Sequence, residues 1–176
     1  GLLMLDDQSL MRRVISRLAP QVQRMAINAN GDPARFFGFN LPVLPDPVPG
    51  YPGPLAGVLA AMDWAASIGA DAVVTVAADT PFFPADLVTR LRSATGPAGF
   101  SLAATGTAPD WHPTFGLWPT ALRDSLRCDL LAGQRKVIGW ALQNGAKPAL
   151  FDAKDDPFFN INTPEDLAIA QNRHDL

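Results

Sequence analysis

The chain has 176 residues, a net charge of −3 from 14 Lys and Arg against 17 Asp and Glu, and one cysteine. That size fits a single domain over residues 1–176 with one core, and the charge balance leaves no basic run to track a nucleic-acid backbone or an anionic bilayer. Cys128 alone makes neither an internal disulfide nor a zinc cluster, and the apolar stretches break well short of the roughly 18 to 20 residues of a membrane span, so a reducing, cytoplasmic setting is expected.

Gly1 stands where a Met would open a chain and leads into the apolar run Leu2 to Leu5, so a segment upstream is expected. Asp6-Asp7-Gln8 reads as a turn, and Ser9 caps a helix whose apolar positions Leu10, Val14, Ile15 and Leu18 recur at helical spacing until Pro20. Arg24 to Asn30 alternates and meets Gly31-Asp32-Pro33, which predicts a strand delivering polar side chains to a turn. Leu41 to Leu44 is a shorter strand. Positions 45 to 54 hold five prolines and two glycines and must be loop. Small and apolar residues from Leu55 to Ile68 predict a helix with Pro54 at its start and Gly69 as its stop. Asp71 to Ala78 is apolar nearly throughout, the pattern of a strand covered on both faces, and it ends in Asp79-Thr80-Pro81. Further on, helices are predicted at Pro84 to Leu91, Pro119 to Leu131 and Val137 to Gln143, and strands at Phe100 to Ala104, Thr114 to Trp118 and Lys147 to Phe151. Thr163 caps a last helix with Pro164 as its first residue. The alternation predicts an α/β fold, a Rossmann-like doubly wound, mostly parallel sheet with helices on both faces and ligands at the carboxyl ends of its strands.

Three polar residues fall where such a fold places ligands: Asn28, Asp46 and Asp79, each at or after the end of a predicted strand. A carboxylate closing an apolar strand has to be solvated by a cation, by backbone N–H groups or by water. Magnesium, a hard ion that bridges substrate phosphates, suits Asp79; capping the turn at Thr80-Pro81 is the equal alternative. Asx and pre-proline turns are the plain alternatives for Asn28 and Asp46. Gly50 to Gly57 runs straight into a helix, whose small residues Ala56, Gly57, Ala60 and Ala61 also suit close packing. His112-Pro113 favours a hydrogen-bonded structural histidine, His174 is incidental, and Arg135-Lys136 fits a solvated helix start as well as an anion contact.

Asn28-Ala29-Asn30, Asp46 followed by Gly50-Tyr51-Pro52-Gly53-Pro54-Leu55-Ala56-Gly57, Asp79-Thr80-Pro81 with Pro84, His112-Pro113, and Asn160-Ile161-Asn162-Thr163-Pro164-Glu165 resemble the ordered motifs of the molybdenum cofactor guanylyltransferase family. The resemblance covers nearly the whole chain and implies a nucleotide-diphospho-sugar transferase-like fold. It implies GTP contacts at Asn28, Asp46 and Asp79, with Asp79 as catalytic residue and Mg2+ ligand, and a molybdopterin-binding region at Asn160 and Asn162. GTP and molybdenum-molybdopterin are the expected partners, with molybdoenzymes or their chaperones beyond them. The family's opening strand and glycine-rich loop, with an arginine and a lysine for the triphosphate, have no counterpart in this sequence. A cytidylyltransferase of the same cofactor and a noncatalytic molybdopterin- or nucleotide-binding module are the alternatives.

Overall fold

A computed structural model describes residues 4–5, 8–48, 50, 53–154 and 156–172. Two short strands, β1 (Met4–Leu5) and β2 (Gln8–Ser9), pair antiparallel and lead into α1 (Leu10–Leu18), where Ser9 Oγ accepts the Arg12 N–H at 3.3 Å. Next come β3 (Ile27–Asn28), a 3-10 segment (Pro33–Phe39) and β4 (Val43–Leu44), which pairs parallel to β3. α2 (Pro54–Ser67) starts at its proline and stops before Gly69, whose φ is +76°. β5 (Ala72–Thr75), α3 (Leu87–Ala94), β6 (Ser101–Thr105), β7 (Asp110–Pro119), α4 (Arg123–Leu131), α5 (Val137–Gln143), β8 (Lys147–Phe151) and α6 (Pro164–Gln171) complete the order.

The larger sheet has the strand order β5-β7-β6-β8. β7 runs antiparallel to β5 and β6, while β6 and β8 are parallel, so three of these four strands share one direction. The reversal comes from the turn at 106–109, which brings the chain back beside β6 as a hairpin with a bulge between Leu102 and Ala103. Every residue of β6 is buried. Alternate side chains feed two cores on opposite faces. Leu102, Trp118 and Val73 pack with Leu59 of α2, Leu126 of α4 and Trp140 of α5. Ala103, Leu117 and Val74 pack with Leu18 of α1 and Leu87 and Leu91 of α3. Helices thus cover both faces, as expected of the α/β class.

Among the described residues, β3 and β5 each pair along one edge. Ile27 and Ala29 donate their N–H groups to Pro42 and Leu44, on the β4 side, and Thr120 donates to the Asp71 carbonyl, which sets the β5 residues that bond β7. The backbone groups of Asn28 on one strand, and of Ala72 and Val74 on the other, therefore turn to the opposite edges. Between those edges lies a groove of about 920 Å3, lined by both strands, by Gly57, Ala61 and Ala65 of α2, and by Leu18 and Val88 of the helices on the other face. Two peptide edges and two helix faces thus line it. Its flanking strands are short, two and four residues against the longer runs the sequence predicts.

Candidate nucleotide site at the strand ends

Asn28 closes β3, and its Nδ2 donates to the Leu44 carbonyl at 3.0 Å and to Asp46 Oδ1 at 3.0 Å. Asn30, two residues on, donates Nδ2 to Asp46 Oδ2 at 2.8 Å and accepts the Asp46 N–H on Oδ1 at 2.9 Å. Each carboxamide has a backbone partner that can only accept or only donate, so the orientation of both is set by chemistry. Both carboxylate oxygens of Asp46 are held. What the cluster still offers is mainly acceptors, Asn28 Oδ1 and the remaining lone pairs of Asp46, beside the second N–H of the Asn30 amide, a face that suits ribose hydroxyls or base N–H groups better than phosphate.

Gly57 in α2 makes this arrangement possible. A Cβ there would lie 2.3 Å from Asn28 Oδ1 and 3.2 Å from its Cγ, closer than atoms approach. The small face of α2 thus serves the approach of a polar side chain as well as packing.

Asp79 is half-buried beyond β5, followed by the fully buried Thr80. The Thr80 hydroxyl lies 2.5 Å from Asn160 Oδ1 and 3.2 Å from Asp79 Oδ1, and its single proton serves the nearer oxygen better. Asp79 therefore keeps most of its acceptor capacity. Its carbonyl takes the Ile161 N–H at 2.9 Å, so residues 158–161 strap the strand ends together. Phe158 anchors that strap, with ring centroids 4.7 Å from Phe115, 5.3 Å from Phe151 and 4.3 Å from His112. Among the described residues no three His, Cys, Asp or Glu gather as a metal cage. A lone carboxylate suits magnesium, which keeps waters and shares its coordination with phosphates.

The structure thus joins Asn28 and Asp46 in one cluster and Asp79 and Asn160 in a second. Asn28 and the residues up to Ala77 line the same groove. Asn162 stands apart: it is exposed, and its N–H donates to Asp166 Oδ2 at 3.0 Å beside the capping box of α6. Arg135 Nη1 donates to the Leu130 and Gln134 carbonyls at the end of α4, a structural use of that side chain. His112 Nε2 meets Thr105 Oγ1 at 3.0 Å. Burial lowers its pKa below the usual 6.5, against the opposite pull of the Asp110 and Asp156 carboxylates. Tyr51, Pro52 and His174 lie outside the described residues. The sequence reading gave no separate roles to Asn30 and Thr80. The Asn-x-Asn spacing was a usable signal, because residues two apart on an extended segment share a face.

A family model for the MobA-like NTP transferase domain matches residues 1–149. A molybdenum cofactor guanylyltransferase of Rhodopseudomonas palustris (strain BisB5) is 46% identical, over 93% of this chain and 80% of its own length. Its counterpart in Cereibacter sphaeroides is 48% identical, over 96% and 84%. The chain belongs to the MobA-like NTP transferase family, with the molybdenum cofactor guanylyltransferases. Solved structures agree on the fold. The molybdopterin-guanine dinucleotide biosynthesis protein A of Archaeoglobus fulgidus superposes with a TM-score of 0.69 at 23% identity, covering 97% of this chain and 87% of that one. A 4-diphosphocytidyl-2C-methyl-D-erythritol synthase of Anaerococcus prevotii gives 0.71 at 12%, covering 97% and 91%. Among the described residues no helix is long and apolar enough to cross a membrane.

Proposed function

We propose that the protein transfers GMP from GTP to the terminal phosphate of molybdenum-molybdopterin. An oxygen of that phosphate monoester attacks the α-phosphorus of GTP, the bond to the β-phosphate oxygen breaks, and pyrophosphate leaves with the electron pair. With a second pKa of about 6, the monoester is largely ionised at neutral pH and needs no general base. That agrees with the site, where Asn, Asp and Thr dominate and His112 is occupied by Thr105 and Phe158. The observation that supports this function is a pair of clusters beyond strand ends, one offering mainly acceptors after β3 and β4 and one offering an under-used carboxylate after β5, in a chain 46% identical to a named guanylyltransferase.

In this proposal Asn28 and Asp46 hold the nucleoside through its donors, and Asp79 would hold a Mg2+ ion, which neutralises charge on phosphate oxygens. The strap at 158–161 fixes Asn160 beside Asp79 and borders the acceptor's side, and Asn162 lies further out on the same segment. Catalysis then rests on positioning. We also infer that the groove between β3 and β5 receives, in the full-length protein, an extended segment outside this sequence, and that the loop after it grips the triphosphate. Support comes from the unpaired facing edges and from relatives whose matches span 80% and 84% of their own length but 93% and 96% of this chain.

The test is turnover of the full-length protein with molybdenum-molybdopterin, Mg2+ and each of GTP, CTP and ATP, followed by pyrophosphate release and mass spectrometry of the dinucleotide. GTP should be used at least about 100-fold better, as sites built around hydrogen-bond polarity discriminate strongly. A preference for CTP would reassign the chemistry to cytidylyl transfer.

A further inference from the structure

We propose that Asn30 is a positioning residue for nucleotide binding, acting through Asp46. This rests on the reading of Asp46 as a nucleotide contact. Asp46 follows a two-residue strand in a proline-rich loop, so its own backbone gives the carboxylate little fixity. Asn30 supplies it from both sides. Its Oδ1 accepts the Asp46 N–H at 2.9 Å, which pins the main chain, and its Nδ2 donates to Asp46 Oδ2 at 2.8 Å, which pins χ rotation. Asn28 holds the other oxygen at 3.0 Å. Each of these bonds joins segments 16 or 18 residues apart, so the cluster staples two strand ends.

The arrangement also sets polarity. Without the Asn30 amide, one oxygen of Asp46 loses its donor and turns to water, and the carboxylate is free to leave the position in which its open lone pairs meet a ligand's N–H or O–H groups. An aspartate in its place would be worse, because it has no donor and sets a second carboxylate against the first. Asn30 is exposed and contributes no core packing, so its removal leaves the fold standing.

The experiment compares Asn30→Ala, Asn30→Asp, Asp46→Ala and the double variant Asn30→Ala/Asp46→Ala in the full-length protein, with KM and kcat for GTP and circular dichroism for the fold. Asn30→Ala should raise KM for GTP about tenfold, with the smaller part of any loss in kcat, and Asn30→Asp should raise it further. In the Asp46→Ala background, Asn30→Ala should add less than about twofold, since the group it positions is gone. A merely structural residue would lower the melting temperature and the active fraction while leaving KM unchanged. That result, or full additivity with Asp46→Ala, overturns the positioning role while Asp46 keeps its own. If Asp46→Ala itself leaves KM unchanged, the nucleotide role of Asp46 falls and this inference falls with it.

Discussion

Replacing Gly57 by alanine should separate binding from stability. The added Cβ would lie 2.3 Å from Asn28 Oδ1, and an ordinary contact requires about 1 Å more. Asn28 has to give way because Gly57 is fixed in α2, and in retreating it strains or breaks two hydrogen bonds of 3.0 Å, to Leu44 and to Asp46. Each is worth about 0.5–1.5 kcal/mol, towards the lower end because Asn28 is exposed. Alanine in a helix returns about 0.8–1.0 kcal/mol relative to glycine. The two effects nearly cancel, leaving stability within about 1 kcal/mol, or a melting shift of about 2–4 °C in a domain this size. Binding has no such offset, because a group displaced by about 1 Å can cost up to about 100-fold. We expect KM for GTP to rise between about tenfold and 100-fold, measured by steady-state kinetics beside a thermal melt. Wild-type KM in Gly57→Ala would remove Asn28 from nucleotide recognition, and a loss of many degrees would show that Gly57 serves packing alone.

Asp79→Asn should keep the melting temperature within a few degrees and reduce Mg2+-dependent turnover by at least about 100-fold, since the amide is a poor ligand for a hard cation; wild-type turnover would exclude Asp79 from the chemistry. Acid should weaken the fold in part through His112. Its native pKa lies below the unfolded value of 6.5, so the unfolded chain binds the extra proton first. This contribution to stability is fully present above about pH 6.5 and is lost as pH falls through that value towards the native pKa. His112→Gln should flatten the stability profile just below about pH 6.5 in urea titrations, and an unchanged slope would assign the acid sensitivity to other groups.

The elements set by strong local chemistry could be read from the sequence. α5 and β8 have the expected bounds, α6 begins at its Thr-Pro cap, and α2 lies between Pro54 and Gly69. Elements that depend on partners were less legible. β3 is shorter than the alternating run Arg24 to Asn30 and β5 shorter than the apolar run Asp71 to Ala78, each bordering the groove on one edge, and β7 is longer than Thr114 to Trp118 because pairing with β6 extends it to Asp110. α3 starts at Leu87, since Pro84 sits in a turn closed by its carbonyl and the Leu87 N–H. In the site, Asn28, Asp46 and Asp79 stood out as polar residues at strand ends. The bonds that organise them did not, because they span 16, 18 and 80 residues. No local pattern could have tied Thr80 to Asn160.

A crystal of the full-length protein grown with a non-hydrolysable GTP analogue and Mn2+, an anomalous scatterer in place of Mg2+, decides whether Asp79 holds the metal. The anomalous peak should sit on the Asp79 carboxylate beside the phosphates, with donors of the nucleoside facing Asn28 and Asp46. A metal and phosphates bound away from Asp79, or phosphate oxygens set against the Asp46 carboxylate, would contradict it.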